Sequence, residues 1–290
     1  VSQSRSSESH AKFIVSGEHA VLAGAPCLVY PLKQLRLGVE IVSSKHFEAV
    51  LNGKVLSEDL AHKVWSASLR SGHTEEALRS SKICISTSIP IASGLGSSAA
   101  LCVALARLTR PEGEVFSAAH HAEGVFHGRS SGADPAGVMA KGPILYDVAK
   151  GPNYEAFVAA KDAPYTWVLC PSGAERSTSH VISNLADSSK ENLMASLIEV
   201  SKKIPRLLRE GSWTALPEAI EEATEIHRKM GLVNESLDAT FKRMRSEGAV
   251  ATKLTGAGRG GFALGLYPLE LATKLSSTKS EHLLVPLHGN

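Results

Sequence analysis

The stretch Pro90–Ala100, P-I-A-S-G-L-G-S-S-A-A, constrains this chain more than any other. It follows an alternating strand candidate, Lys82 to Ser88 (K-I-C-I-S-T-S), and runs into Ala99 to Leu108 (A-A-L-C-V-A-L-A-R-L), which has the composition of a buried helix. A Gly/Ser turn at a helix entrance presents unpaired backbone N–H groups beside the positive end of the helix dipole. Phosphate suits that position, because the donors need an acceptor and the dipole favours negative charge. Gly94 and Gly96 allow close approach of the main chain, having no Cβ. Ser97 and Ser98 add hydroxyls within reach of a phosphate oxygen or a bound Mg²⁺. Taken alone, the segment reads equally well as an ordinary strand-to-helix turn with a serine cap.

Length and composition bound the alternatives. A chain of 290 residues suggests about two domains, and an apolar fraction of 43% is enough to build their cores. With 31 basic against 29 acidic residues there is no bulk charge to attract nucleic acid or an anionic membrane. Cys27, Cys84, Cys102 and Cys170 lie far apart in apolar runs without metal-ligand or redox spacing, and read as buried free thiols of a reducing compartment. No apolar run approaches the roughly 20 residues of a membrane span. The polar start V-S-Q-S-R-S-S-E-S-H has no secretory apolar core, and the ending L-H-G-N is not a peroxisomal S-K-L. A cytoplasmic protein is expected, with an organellar location left open.

Strand character marks Ala11–Ser16, Cys27–Leu32, Leu35–Val42 and Lys82–Ser88, and helices are expected over Ala61–Arg79 and Glu114–His127. Pro135 is placed in the first turn of a further helix with Asp134 as its cap, followed by a strand at Pro143–Val148. A composition shift over Lys150–Pro164 sets the domain boundary, giving domains of residues 1–162 and 163–290. Beyond it come a strand at Tyr165–Cys170, amphipathic helices at Glu191–Glu210, Thr214–Met230 and Glu235–Glu247, and strands at Ala249–Thr255, Gly261–Tyr267 and His282–Leu287 with a short helix between the last two. The second half therefore reads as an α+β sandwich of helices on an antiparallel sheet.

Three other segments carry chemistry. In A-K-F-I-V-S-G-E-H-A-V-L-A-G, Ala11–Gly24, a strand bearing Lys12 is interrupted by a polar G-E-H turn between apolar flanks. Half-buried polar turns are costly without partners, although Glu18 and His19 also suit a surface loop. In E-G-V-F-H-G-R-S-S-G-A-D-P-A-G-V-M, Glu123–Met139, Glu123 and His127 share one helical face. Glu123 is a natural oxygen ligand for a divalent cation and His127 a poorer one, while Asp134 also has the look of a helix cap. In K-L-T-G-A-G-R-G-G-F-A-L, Lys253–Leu264, four glycines within six residues join two strands, more than a plain hairpin needs and in keeping with backbone laid against a ligand.

The order of these four segments resembles the kinase superfamily of galactokinase, homoserine kinase, mevalonate kinase and phosphomevalonate kinase (the GHMP kinases). Lys12 with G-E-H-A-V is most similar to the mevalonate kinase branch; galactokinases usually carry arginine at the lysine position and continue T-D, and the other two lack G-E-H. One departure is Arg259, which stands where the family's third motif has glycine. The resemblance implies an α+β fold of two domains: an N-terminal ribosomal-protein-S5-domain-2-like α/β domain and a C-terminal ferredoxin-like α+β sandwich, with the active site in the cleft between them. It implies ATP and Mg²⁺ as cofactors and mevalonate as the small-molecule partner, with no nucleic acid and no membrane; a homodimer is left open as the assembly. By the same resemblance Ser93, Gly94, Leu95, Gly96, Ser97, Ser98 and Ala99 wrap the phosphates, in place of the absent G-x-x-x-x-G-K-[ST] loop, and Ser98 and Glu123 hold the metal. Asp134 accepts or orients the substrate hydroxyl, Lys12 pairs with Asp134, and Glu18, His19, Thr178 and Gly258 face the substrate. For Thr178, within C-P-S-G-A-E-R-S-T-S-H, a helix N-cap is the competing reading. The implied reaction is phosphorylation of the 5-hydroxyl of mevalonate. A related kinase acting on phosphomevalonate, galactose or homoserine is the alternative, and a non-catalytic sensor the reading from a different class.

Overall fold

The computed structural model describes residues 4–128, 130–174, 187–278 and 282–288. Strand β1, Arg5–Ser16, leads through a single turn of 3₁₀ helix at Ala20–Ala23 into the long β2, Cys27–Ser43. Next come β3 (Glu48–Leu51), β4 (Lys54–Val55), α1 (Glu58–Ser71), α2 (Glu75–Arg79), β5 (Ser81–Thr87), α3 (Ser97–Arg107), α4 (Glu112–His127) and α5 (Ala133–Met139). The remainder comprises β6 (Ile144–Tyr146), β7 (Glu155–Ala156), β8 (Tyr165–Pro171), α6 (Asp187–Glu210), α7 (Leu216–Lys229), α8 (Glu235–Ser246), β9 (Ala251–Leu254), β10 (Phe262–Pro268), α9 (Leu269–Thr278) and β11 (Leu283–Pro286).

These elements form two units whose segments alternate along the chain. The first unit takes the chain up to Lys12, Pro31–Ile91 and Gly96–Lys141; the second takes Phe13–Tyr30, Ala92–Leu95 and the chain from Gly142 onward. In the first unit the strand order is β4-β3-β5-β2, with β1 pairing β2 off that path. The β3–β5 pair is parallel, whereas β2–β5 and β3–β4 are antiparallel. Helices α1, α3 and α4 pack on one another, with α5 against α3 and α4. Helix α3 is buried on every side from Ala99 to Ala106, as an all-apolar helix must be.

In the second unit the opening residues of β2 pair with β6 (Cys27 opposite Tyr146), and β6 pairs with β7. A four-stranded sheet of order β11-β8-β10-β9 is antiparallel at each junction. Helix α7 packs on β9, α8 on β9 and β10, and α9 on β8, β10 and β11. This matches the expected sandwich of helices on an antiparallel sheet.

Several expectations need correction. The helix expected over Ala61–Arg79 is two, because Gly72 at φ 108° closes α1 with its N–H on the carbonyls of Leu69 and Ser68. Strands expected at Cys27–Leu32 and Leu35–Val42 are one, since β2 exchanges β6 for β5 as partner along its length. Of the four free cysteines, Cys84 is half-buried rather than buried. Among the described residues no helix is long and apolar enough to cross a membrane.

Candidate active site

Lys12 stands near the middle of β1, where its side chain is 1% exposed, and its Nζ lies 2.9 Å from Asp134 Oδ1. The Asp134 side chain keeps 28% exposure, so the ammonium is desolvated while the carboxylate stays open on one side. Asp134 is not the cap of α5, as its place before Pro135 suggested. Gly132 caps that helix at φ 84°, which moves Asp134 into the first turn and frees its carboxylate for Lys12. The stem of Lys12 crosses Gly96, where a Cβ would come within 2.9 Å of the lysine Cε. Gly96, at φ 80°, is also the N-cap of α3. The absence of a side chain there thus lets the lysine reach the entrance of the phosphate-type turn.

Ser97 and Ser98 open α3, and the first helical bond runs from Ala100 N to Gly96 O. The N–H groups of Ser97, Ser98 and Ala99 therefore lie ahead of the intrahelical ladder. Ser98 Oγ is 2.8 Å from His127 Nε2. Glu123, 1% exposed on the same face of α4, accepts from the Ser130 hydroxyl. Its charge is felt by buried Cys102, whose thiol is pushed well above its ordinary range by burial first and by Glu123 second. Ser130 also accepts from Gly132 N at 3.2 Å, and its carbonyl receives His120 Nε2 at 3.0 Å. Helix α4 thereby holds the approach to α5 and Asp134. Sequence reading missed Ser130, and the role of His127 as the partner of Ser98. The i, i+4 spacing of Glu123 and His127 was the available signal. Ser98 and Glu123 offer oxygen donors only, which fits Mg²⁺, a cation that takes one or two protein oxygens and fills its shell with phosphate and water.

The second unit holds the remaining candidates. Residues Ser93 and Gly94 lie against the glycine-rich turn that follows β9. A Cβ on Gly94 would sit 3.0 Å from Thr255 O, one on Gly256 3.2 Å from Gly94 O, and one on Gly261 2.3 Å from Ser93 O. The glycines of this loop thus pack main chain against main chain. Gly258, at φ 82°, is closed in by Leu232, whose carbonyl would lie 2.7 Å from a Cβ there. Arg259 holds φ 61°, a left-handed conformation that explains why glycine suits the position, and its N–H donates to Leu232 O at 2.7 Å.

In the G-E-H turn, Gly17 is enclosed so tightly that a Cβ would lie 2.5 Å from Pro26 O. Glu18 is buried and its carboxylate bonds Lys253 Nζ, so the surface-loop reading does not hold for Glu18. His19 is half-buried at φ 60° and its Nε2 meets Ala257 O at 3.1 Å. Lys253 and Thr255 are functional candidates that sequence reading did not single out. Thr178 lies outside the described residues, as does Arg176.

Residues 59–142 match the family description "GHMP kinases N terminal domain", and residues 206–278 match "GHMP kinases C terminal". Together they span more than half of the chain, in the expected order. The chain belongs to the GHMP kinases. A relative from Archaeoglobus fulgidus named mevalonate kinase is 29% identical over 269 residues, 88% of this chain and 90% of that one. The crystal structure of L. major mevalonate kinase in complex with R-mevalonate superposes with a TM-score of 0.72 at 20% identity, covering 97% of this chain and 94% of that one. Lactococcus lactis galactokinase complexed with galactose gives a TM-score of 0.74 at 15% identity, covering 99% and 94%. The fold is common to both, so the substrate must be argued from elsewhere.

Proposed function

We propose that the chain transfers the γ-phosphoryl group of ATP to the primary 5-hydroxyl of mevalonate, giving 5-phosphomevalonate and ADP. The observation that carries this reading is the Lys12–Asp134 pair, with the lysine stem laid across Gly96 at the entrance of α3. Such a reaction needs positioning and charge neutralisation more than covalent chemistry. The substrate oxygen bonds to the γ-phosphorus, the bond from that phosphorus to the bridging oxygen breaks, and the hydroxyl proton passes to Asp134. Lys12 orients the Asp134 carboxylate and stabilises charge developing on the attacking oxygen. Ser93, Gly94, Leu95, Gly96, Ser97, Ser98 and Ala99 form the proposed phosphate loop. Ser98 and Glu123 are the residues that would hold Mg²⁺, which when bound neutralises phosphate charge.

For the substrate we propose His19, Gly258 and Thr178 as the selecting set, with the buried Glu18 acting through the placement of His19 rather than by contact. Mevalonate is favoured over galactose by Lys12 followed by G-E-H-A-V, and by the relative at 29% identity over most of both chains. The functional division is proposed at residues 1–162 and 163–290, which limited proteolysis around Lys150–Pro164 tests. A cytoplasmic homodimer is the proposed assembly, to be checked by sedimentation of the purified protein. The deciding experiment supplies the protein with ATP, Mg²⁺ and, in turn, mevalonate, phosphomevalonate, galactose and homoserine. Mevalonate should be consumed far faster than the others; preference for another substrate overturns the assignment, and no Mg²⁺-dependent ATP use with any of them points to a sensor.

A further inference from the structure

A buried ion pair outside the reacting groups calls for a physical reason. Lys253 and Glu18 have side chains only 1% and 2% exposed, are separated by 235 positions in the chain, and meet through Nζ and Oε1. Removing two charges from water costs several kcal/mol per ion, and well-packed apolar residues generally serve stability as well or better. Such a pair is therefore a weak stabiliser. It is, however, a strong geometric constraint, because displacing either partner strands a charge in the interior.

What the pair constrains is visible in its neighbours. Lys253 Nζ also donates to Leu254 O at 2.6 Å, which fixes the ammonium against its own strand end. Two positions on, the Thr255 hydroxyl accepts from Ile14 N at 2.8 Å and donates to Ile14 O at 2.9 Å, taking the place of a ladder pair on β1. Two positions further, Ala257 O receives the His19 ring at 3.1 Å. Alternate residues 253, 255 and 257 thus grip Glu18, Ile14 and His19. A carbonyl only accepts, so Nε2 of His19 carries a proton in this contact. His19 also holds a left-handed φ of 60°, a conformation that persists in a non-glycine residue only where the surroundings enforce it.

His227 completes the surroundings. It is fully buried on α7, and neither ring nitrogen has a hydrogen-bond partner among the described residues. Burial, then the charge of Lys253, then His19 hold its pKa well below the ordinary value, so the ring is neutral beside the ammonium. A neutral His227 brings no further positive charge to the ion pair.

We propose that Lys253 is a positioning residue: by holding Glu18 in the interior, with Thr255 and Ala257 completing the grip, it presents the His19 imidazole to the substrate in one orientation and one tautomer. This rests on the reading of His19 as a substrate contact. Glu18 acts from behind the turn through Lys253.

The test uses the full chain and the variants Lys253→Met, Glu18→Gln and the two combined. The first readout is the imidazole ¹⁵N spectrum without substrate, with His19 identified by its loss in His19→Gln. The wild type should show a single Nε2-protonated His19, and Lys253→Met should average its two nitrogens. In turnover, Lys253→Met should raise KM for mevalonate about tenfold or more and leave KM for ATP within about twofold, the scale of a lost charge-assisted contact. The combined variant carries no stranded charge, so it should regain thermal stability without regaining the His19 spectrum or the KM. If the combined variant regains all three, or if Lys253→Met keeps both spectrum and KM, Lys253 has no positioning role. A wild type that does not turn over mevalonate refutes the substrate reading, and the spectrum alone then decides the grip.

Discussion

Asp134 is held by a lysine that has lost almost all contact with water. With the ammonium side desolvated, the Coulomb attraction between them is stronger than between two fully hydrated charges. Asp134→Asn keeps the shape and removes the proton acceptor, and Lys12→Met keeps the stem over Gly96 and removes the charge. Each should lower kcat by about 10²–10⁴-fold, the usual contribution of a positioned acid–base group, with KM for ATP little changed in steady-state assays. Arg259 offers a test of opposite sign. Its left-handed φ of 61° is disfavoured for a residue with a Cβ, so Arg259→Gly should raise unfolding stability by about 1 kcal/mol in urea titration. The G-R-G-G departure was plain in the sequence; that the position demands a positive φ was not, because φ depends on where Leu232 O receives the Arg259 N–H.

Among the elements, the glycine-rich turn after β9 was legible as a site requiring close approach, but its partner was not. Sequence reading pointed to backbone laid against a ligand, and the structure adds that the main chain of Ser93–Gly94 packs on this turn. Gly261→Ala would force a Cβ to 2.3 Å from Ser93 O at φ 82°, so a loss of about 2–4 kcal/mol is expected. Gly142→Ala has nothing within 4 Å of its Cβ and should change stability by less than about 0.5 kcal/mol in the same titration, a control that separates contact from composition. Helix α4 was anticipated nearly to its ends, and its Glu123/His127 face lies toward Ser130 and Ser98. The β3–β4 hairpin was overlooked although Asn52-Gly53 is a strong two-residue turn signal, and the two residues adopt φ 47° and 80° between paired Leu51 and Lys54. Its strands are only four and two residues long, too short for alternation to register.

For the molecule as a whole, titration of buried histidines links stability to pH. His10, His73 and His227 all have folded pKa values below the ordinary 6.5, in each case chiefly through burial. A depressed folded value means that the unfolded chain binds more protons once pH falls below about 6.5, so stability is present above that pH and is lost on acidification. Unfolding free energy measured between pH 7 and 5 should therefore decline, and His227→Leu should flatten the decline by up to about 1.4 kcal/mol per pH unit. Periodicity and motif order were enough to place most strands and helices, to expect helices on an antiparallel sheet, and to nominate Lys12, Ser98, Glu123 and Asp134 as candidates. Those features are local: apolar spacing and turn chemistry act over a few residues and leave their mark in the chain itself. The interleaving of the two units, the strand exchange along β2, the partners of Gly256 and Gly261, and the burial of Lys253 with Glu18 left no such mark. A buried charge finds its counter-ion through packing between residues hundreds of positions apart, and no window along the chain contains both.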